Sequence, residues 1–187
     1  GLADHAHIPS LDLFSRSIPI VGSISASKIV KKLGFKSVFG LKPGETKILD
    51  GLKIQATSGA AVPNLENGYL ISHDYASLYI EPHGFLDEKI PIQKIDAVIT
   101  PVVNLKLPFA GNFIQGKTIL PEIIKRLNPL TVLASTVGGD TEFSGILNQL
   151  ISIEGTQDKL SNDLSSKTYF INPVPGRLYK LKTYKVR

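Results

Sequence analysis

Histidine and carboxylate side chains occur together in two short segments of this 187-residue chain. The first is Asp4-His5-Ala6-His7, and the second is Glu81-Pro82-His83-Gly84, which follows a predicted strand. Histidine nitrogens and carboxylate oxygens are ligands for zinc, manganese and iron. Each segment therefore predicts a metal site, and each has a plainer explanation: a polar turn for the first and a solvent-facing loop for the second.

A third segment, Ser135–Asp140, joins a predicted buried strand to a predicted helix. Backbone N–H groups at the start of a helix can hold an anion. Asp140 acting as the N-cap would explain the same residues. The remaining histidine, His73, is expected to be exposed in a hairpin turn.

The composition bounds the kinds of protein this chain can be. Hydrophobic residues make up 42% of it and charged residues 20%, which predicts one globular domain with a sizeable core and excludes a disordered, collagen-like or coiled-coil chain. No apolar run reaches the roughly 18 residues that a membrane span needs. Cysteine is absent, which excludes disulfides, thiolate metal sites and a cysteine nucleophile.

The net charge of +5 is concentrated at the C-terminal end. The last eleven residues, Arg177–Arg187, hold five Lys or Arg and no acid. A basic tail can meet nucleic acid, an anionic membrane face or an acidic protein, and it can equally be a solvated terminal strand.

Short β-rich segments alternate with helical ones, which predicts a mixed α/β fold with helices covering sheets. Helices are expected at Lys28–Leu33, capped by Ser25 or Ser27, and at Thr118–Leu127 and Glu142–Ile153. A doubly wound dinucleotide-binding sheet is disfavoured because no glycine-rich phosphate loop follows an early strand. Strands are expected at Ile18–Gly22, Ser37–Leu41, Thr46–Leu49, Leu52–Thr57, Gly68–Ser72, Ser77–Ile80, Ile95–Val103 and Thr131–Ala134.

Turn residues predict how these strands connect. Asp50-Gly51 and His73-Asp74 are expected to close two hairpins. The segments Ser58–Glu66 and Leu105–Gly116 are expected to be loops.

A series of motifs resembles the metallo-β-lactamase superfamily. Gly1-Leu2-Ala3-Asp4-His5 is similar to the end of its HxHxDH signature. Further matches follow in the same order over roughly Gly1 to Ile153, and they resemble the lactonase-like, predicted zinc-dependent hydrolase branch in its cyanobacterial and plant form: Leu33-Gly34-Phe35, Leu41–Glu45, Leu52–Thr57, Glu66–Tyr69 and Leu78–Gly84.

The resemblance implies an α+β fold, an αββα sandwich with a dinuclear metal site at one sheet edge. The first strands of that fold would lie before Gly1, so a fold incomplete at the N-terminus is expected. The domain is expected to span residues 1–156, with 157–187 as linker and basic extended tail.

The resemblance carries over only part of the family's ligand set. Asp4 and His5 match it, and Glu81 matches loosely. Leu2, Gly59-Ala60 and Thr136 stand where the family has histidines. His7 and His83 are additional, and with His5 and Glu81 they could rebuild a mononuclear site, with Asp4 as a ligand or as the general base that orients the water.

The expected function is that of a metal-dependent hydrolase with a degenerate site, acting on a small ester, lactone or phosphoester with zinc, manganese or iron. The alternative is a non-catalytic descendant of the fold that serves as a binding or assembly subunit, with no metal. The partner is then a small molecule or another protein; nucleic acid is disfavoured, and both a homo-oligomer and a larger complex stay open. An intracellular location, cytoplasm or plastid, follows from the resemblance alone.

Overall fold

The computed structural model describes residues 5–61, 65–108, 111–136, 151–155 and 168–184. Within these ranges the helices are α1 (Ile8–Asp12), α2 (Ile24–Lys32) and α3 (Gly116–Leu127). The strands are β1 (Ile20–Ser23), β2 (Val38–Leu41), β3 (Thr46–Leu49), β4 (Leu52–Ala61), β5 (Leu65–Ser72), β6 (Ser77–Ile80), β7 (Ala97–Pro101), β8 (Asn104–Leu107), β9 (Gly111–Gln115), β10 (Thr131–Ser135), β11 (Ser152–Glu154) and β12 (Tyr169–Ile171).

Seven strands form the main sheet, in the order β12-β10-β7-β6-β5-β4-β3. β12, β10, β7 and β6 run parallel, while β6, β5, β4 and β3 are joined as antiparallel neighbours. β7 is buried along nearly all of its length, as its apolar sequence predicts. The carboxyl ends of the parallel strands therefore meet at one edge of the sheet, where loops can bring distant residues together.

Both predicted hairpins are present. Asp50 and Gly51 have φ values of 49° and 83° between β3 and β4, the left-handed geometry that an Asp-Gly turn supplies. Ser72 pairs with Ser77 across the exposed turn that holds His73. The loop predicted at Ser58–Glu66 is wrong in part, because β4 continues to Ala61 and β5 begins at Leu65, with an irregular register between Ser58 and Ala61.

A three-stranded antiparallel sheet, β11-β8-β9, replaces the loop predicted at Leu105–Gly116. Leu105 of β8 is paired with Ile114 of β9, and both side chains are buried. Their contacts in the core stabilise the two strands. The polar residues between them in the chain are typical of a loop, which is why the sequence predicts one. The helix predicted at Glu142–Ile153 lies mostly outside the described residues, but its end is wrong because Ser152–Glu154 form β11. The predicted linker also lies outside them, and Tyr169–Ile171 add a strand to the main sheet.

Helix α3 packs against β7 and β8 through Leu120, Ile123 and Leu127, which are at most 1% exposed. This is the apolar spacing from which the sequence predicts the helix. Its first residue, Gly116, has no room for a side chain, since a Cβ there would lie 2.2 Å from the Pro101 carbonyl oxygen. None of the described helices is long and apolar enough to cross a membrane.

A separate pair of parallel strands, β1 and β2, is joined by α2. The cap of α2 is Ser23, whose Oγ accepts a hydrogen bond from the Ala26 N–H at 3.2 Å, and not the predicted Ser25 or Ser27. Gly34 ends this helical turn at φ 87°, the conformation that favours glycine. β1 lies against β5, and a cavity lies between the β1–α2 unit and the main sheet.

Candidate active site

Glu81 lies at the carboxyl end of β6, and its backbone N–H donates to the Ile99 carbonyl of β7 at 3.0 Å. Its side chain is completely buried. Oε2 accepts hydrogen bonds from the backbone N–H groups of His83 at 3.0 Å and Phe85 at 2.6 Å. The carboxyl group therefore holds the following loop in a tight turn that presents His83.

Two glycines allow neighbouring groups to approach this loop closely. A Cβ at Gly68 on β5 would lie 3.2 Å from Glu81 Cγ and 2.6 Å from Thr57 Oγ1. Gly84 has φ 69°, and a Cβ on it would lie 2.4 Å from the Gly116 backbone nitrogen. On the other side, the Gln115 N–H donates to the His83 carbonyl at 2.9 Å.

Four side chains form a row that we call the His–Glu row: Glu66, His5, His83 and Glu81. His5 Nδ1 lies 3.5 Å from Glu66 Oε2, and the His5 and His83 rings are 4.8 Å apart between centroids. His83 Nδ1 lies 3.9 Å from Glu81 Oε1. Within the row the His5 side chain is 26% exposed, whereas Glu66 at one end is 7% exposed and Glu81 at the other end is fully buried.

The two acids of the row lie in different environments. Burial raises the pKa of the Glu81 carboxyl to about 7, although the N–H groups of Phe85, His83 and Gly84 act to lower it. Glu66, at the other end, has a nearly buried side chain that faces His5. A carboxylate beside an imidazole Nδ1 favours the tautomer with the proton on that nitrogen and the lone pair on Nε2.

His5 and Glu66 also line a cavity of about 380 Å³ between the β1–α2 unit and the main sheet. Its other walls are mostly apolar and include Ile20, Val30 and Ile80. This volume lies at the lower end of the roughly 300–1,000 Å³ typical of small-molecule sites. The cavity thus has the volume and the apolar lining that a small ligand with an apolar part would need.

Tyr69 of β5 lines the same cavity. Its hydroxyl oxygen accepts a hydrogen bond from Asn67 Nδ2 at 3.3 Å, and that amide also donates to the Leu41 carbonyl at 2.9 Å. Burial raises the pKa of Tyr69, with Glu66 adding to the rise and the Asn67 bond opposing it. Tyr69 therefore keeps its proton at neutral pH and can donate it in a hydrogen bond.

The structure brings three of the predicted site residues together: His5, Glu81 and His83. His7 lies apart from them, exposed at the start of α1, with Nδ1 2.8 Å from Ser10 Oγ. Asp4 lies outside the described residues. Of the Ser135–Asp140 segment only Ser135 and Thr136 are described, at the end of β10, and Thr136 has a positive φ of 74°.

Sequence reasoning missed Glu66 and Tyr69 as site residues. Both lie in Glu66-Asn67-Gly68-Tyr69, a segment that the sequence identifies only as resembling a family motif and not as part of a site. Glu66 is 61 positions from His5, and no spacing rule connects them. An acidic residue next to an otherwise β-rich segment is the one local signal that the sequence offers.

A catalytic zinc site needs three protein ligands that converge on one point. Among the described residues, no three acid or histidine side chains are arranged to hold one. The described part of the row is thus two acid–histidine pairs in contact, and it does not by itself form the three-ligand site of a catalytic zinc.

Comparison with known proteins gives the fold. Neither a family model nor the sequence of a curated protein matches the chain. Among solved structures, isothiocyanate hydrolase from Delia radicum gut bacteria is similar with a TM-score of 0.59 and 16% identity, covering 90% of this chain and 70% of that one. The metallo-β-lactamase fold protein YhfI from Bacillus subtilis has a TM-score of 0.57 and 13% identity, with coverage of 91% and 69%.

A candidate metal-dependent hydrolase from Parabacteroides distasonis is also similar, with a TM-score of 0.51, 17% identity and coverage of 81% of this chain and 63% of that one. At these identities the likeness concerns the fold, and the chain spans between 63% and 70% of the three proteins. The predicted metallo-β-lactamase fold is confirmed. The branch within the superfamily and the N-terminal incompleteness stay predictions.

Proposed function

We propose that this protein hydrolyses a small ester or lactone in the cavity beside the His–Glu row. The observation that carries the proposal is the pairing of His5 with Glu66 at the wall of a mostly apolar cavity. The likeness to hydrolases of the metallo-β-lactamase fold supports hydrolytic chemistry on a small molecule. A lactone is the substrate that the lactonase-like motifs favour.

In the proposed reaction His5 acts as the general base. Its Nε2 takes a proton from a water molecule while the water oxygen attacks the acyl carbon. Glu66 faces Nδ1, which orients the ring and stabilises the imidazolium that forms. When the tetrahedral intermediate collapses, the bond to the alcohol oxygen breaks and His5 returns the proton to that oxygen.

Tyr69 is proposed to stabilise the developing oxyanion. Its hydroxyl accepts a hydrogen bond from Asn67 and retains its own proton to donate to the substrate carbonyl. Donors aimed at the oxyanion in a site shielded from water are among the largest contributions to hydrolysis rates. His83 and Glu81 lie behind His5 and are proposed to hold its ring in place.

The test is turnover of p-nitrophenyl butyrate and of a γ-lactone by the wild type, His5→Gln and Glu66→Gln. Loss of the general base should lower kcat/KM by roughly 100-fold or more. Loss of the orienting acid should lower it by about 10-fold or more. His73→Gln, which changes an exposed histidine of the β5–β6 turn, is the matched control and should stay within about twofold of the wild type. Equal turnover in His5→Gln and the wild type would refute the assignment.

Zinc remains the cofactor that the sequence predicts for Asp4, His5, His7, Glu81 and His83, with manganese or iron as alternatives. Metal content measured by ICP-MS in the wild type and in His5→Ala tests this separately. About one metal per chain, lost in the variant, would support a rebuilt mononuclear site. Turnover that survives a chelator without bound metal would support the His5–Glu66 pair acting alone.

The alternative function, a non-catalytic binding or assembly subunit, rests on the reduced donor set of the described residues. It predicts that no ester, lactone or phosphoester is turned over while the folded protein still binds a ligand or a protein partner. Measured turnover that depends on His5 would exclude it.

A further inference from the structure

The wall of the cavity has an unusual distribution of charge for such a basic protein. The chain holds 21 Lys and Arg, yet no Lys or Arg from the described parts of the chain lines this cavity. Among the described residues that line it, the ionisable side chains apart from the tyrosine are His5 and Glu66. The fixed charge that the described residues place at the wall is the negative charge of Glu66.

The N-terminus of α2 also faces the cavity, through Ser23 and Ala26. Helix N-termini favour anions when their N–H groups are available. Here the Ala26 N–H already donates to Ser23 Oγ, which also lies 3.0 Å from Ser25 Oγ. The Ala26 N–H, which belongs to the part of this helix that lines the cavity, is therefore already engaged within the protein.

We infer that Glu66 makes this cavity selective for uncharged ligands with a short apolar part and excludes carboxylates and phosphates. An anion entering the cavity would leave its hydration shell, find apolar walls on most sides and meet a like charge. An uncharged amide, ester or lactone loses far less hydration and gains the apolar contacts of Ile20, Val30 and Ile80. Of the substrates expected from the sequence, this selectivity removes the phosphoester.

This inference rests on the proposed function in taking the His5–Glu66 cavity as the substrate site, but its test is a binding measurement. Hexanamide and hexanoate are the probes, since they share one aliphatic chain and differ in charge. Titrations followed by ligand-observed NMR at pH 8, above the usual titration range of histidine, give the two dissociation constants. Competition between hexanamide and p-nitrophenyl butyrate shows whether both occupy one site.

The wild type should bind hexanamide at least tenfold more tightly than hexanoate. Glu66→Gln should narrow that ratio to threefold or less, mainly by tighter binding of hexanoate. Asp74→Asn, which removes an exposed negative charge from the β5–β6 turn, is the matched control and should leave the ratio unchanged.

A wild type that binds hexanoate as well as hexanamide, or binds neither, overturns the inference, and this comparison does not depend on the folding of any variant. A ratio that is unchanged in folded Glu66→Gln overturns the role of Glu66. If the ratio behaves as expected while no ester or lactone is turned over, the selectivity stands and the proposed hydrolysis fails.

Discussion

The two glutamates of the His–Glu row differ because their surroundings differ. Glu66 lies beside a partly exposed histidine at the wall of a cavity. Glu81 is fully buried at the end of β6, and two backbone N–H groups from the His83 loop converge on one of its oxygens. Burial penalises the charged carboxylate more than these hydrogen bonds stabilise it. One acid is thus suited to pairing with a base, and the other to holding a loop.

The raised pKa of Glu81 predicts a pH-dependent stability. Because this pKa rises from 4.5 to about 7 on folding, the folded protein holds the proton more tightly than the unfolded chain. The resulting stabilisation is complete below pH 4.5, declines between pH 4.5 and 7, and is lost above that range. Between pH 5 and pH 8 the free energy of unfolding should fall by on the order of 2 kcal/mol because of this group.

Urea unfolding of the wild type and Glu81→Gln at several pH values measures this contribution. Glutamine stays neutral, so the decline between pH 5 and pH 8 should be smaller in the variant by about that amount. Asp74→Asn, at an exposed acid, is the control for a general charge effect. Parallel pH profiles for the wild type and Glu81→Gln would contradict the assignment.

At the scale of elements, the site is positioned where the His83 loop, β7 and α3 meet without side chains between them. Gly84 of the loop lies against the backbone of Gly116, and Gly116 in turn lies against the Pro101 carbonyl at the end of β7. The Gln115 N–H then bonds the His83 carbonyl at 2.9 Å. The start of α3 therefore fixes the position of the loop that carries His83.

Gly116→Ala should be strongly destabilising, because the added methyl group would lie 2.2 Å from the Pro101 carbonyl oxygen. Relief requires α3 to move away from β7, at a cost of about 2–3 kcal/mol. Gly34→Ala is the matched control: no heavy atom lies within 4 Å of its Cβ position and its φ is 87°, so only backbone strain applies. That strain costs about 1–2 kcal/mol. Thermal or urea unfolding of the two variants compares them, and a smaller loss in Gly116→Ala than in Gly34→Ala would contradict this packing.

Over the whole molecule, the site and the segment after β12 lie at opposite ends of the parallel strands. The site is at their carboxyl ends, and Tyr184 is at the starts of β6 and β7. The Tyr184 N–H donates to Asp96 Oδ1 at 2.6 Å, and its hydroxyl donates to the Asn128 carbonyl. Asp96 Oδ2 also accepts from the Ser77 N–H at 2.7 Å and from Ser77 Oγ at 2.9 Å. Tyr184 thus ties the segment after β12 to the starts of β6 and β7 and to the turn before β10.

Loss of the Tyr184 hydrogen bonds should lower the free energy of unfolding without changing ligand affinity in the cavity. Tyr184→Phe removes one hydrogen bond and should cost about 1 kcal/mol, while Asp96→Ala leaves several donors unsatisfied and should cost about 3 kcal/mol. Tyr169→Phe, at an exposed tyrosine of β12, should be neutral. Urea unfolding measures the losses, and the hexanamide affinity reports on the cavity. A weaker hexanamide affinity in folded Tyr184→Phe would show that the two ends of the parallel strands are coupled.

Local patterns in the sequence determined the elements whose causes are local. The Asp50-Gly51 hairpin follows from residues that adopt positive φ, and α3 follows from apolar residues at helical spacing. The series of motifs predicted the metallo-β-lactamase fold, and the likeness to solved structures confirmed that fold. The sequence also placed Glu81 and His83 together at the end of a strand, since they are neighbours in the chain.

Only the tertiary structure decided which distant residues meet. Glu66 of β5 meets His5 across 61 positions, and both side chains line the cavity between the main sheet and the β1–α2 unit. The strands β8 and β9 exist because Leu105 and Ile114 are buried together, although the sequence between them is that of a loop. In each case the stabilising contact forms between residues far apart in the chain, so its free energy depends on strand order and packing and leaves no local pattern to read.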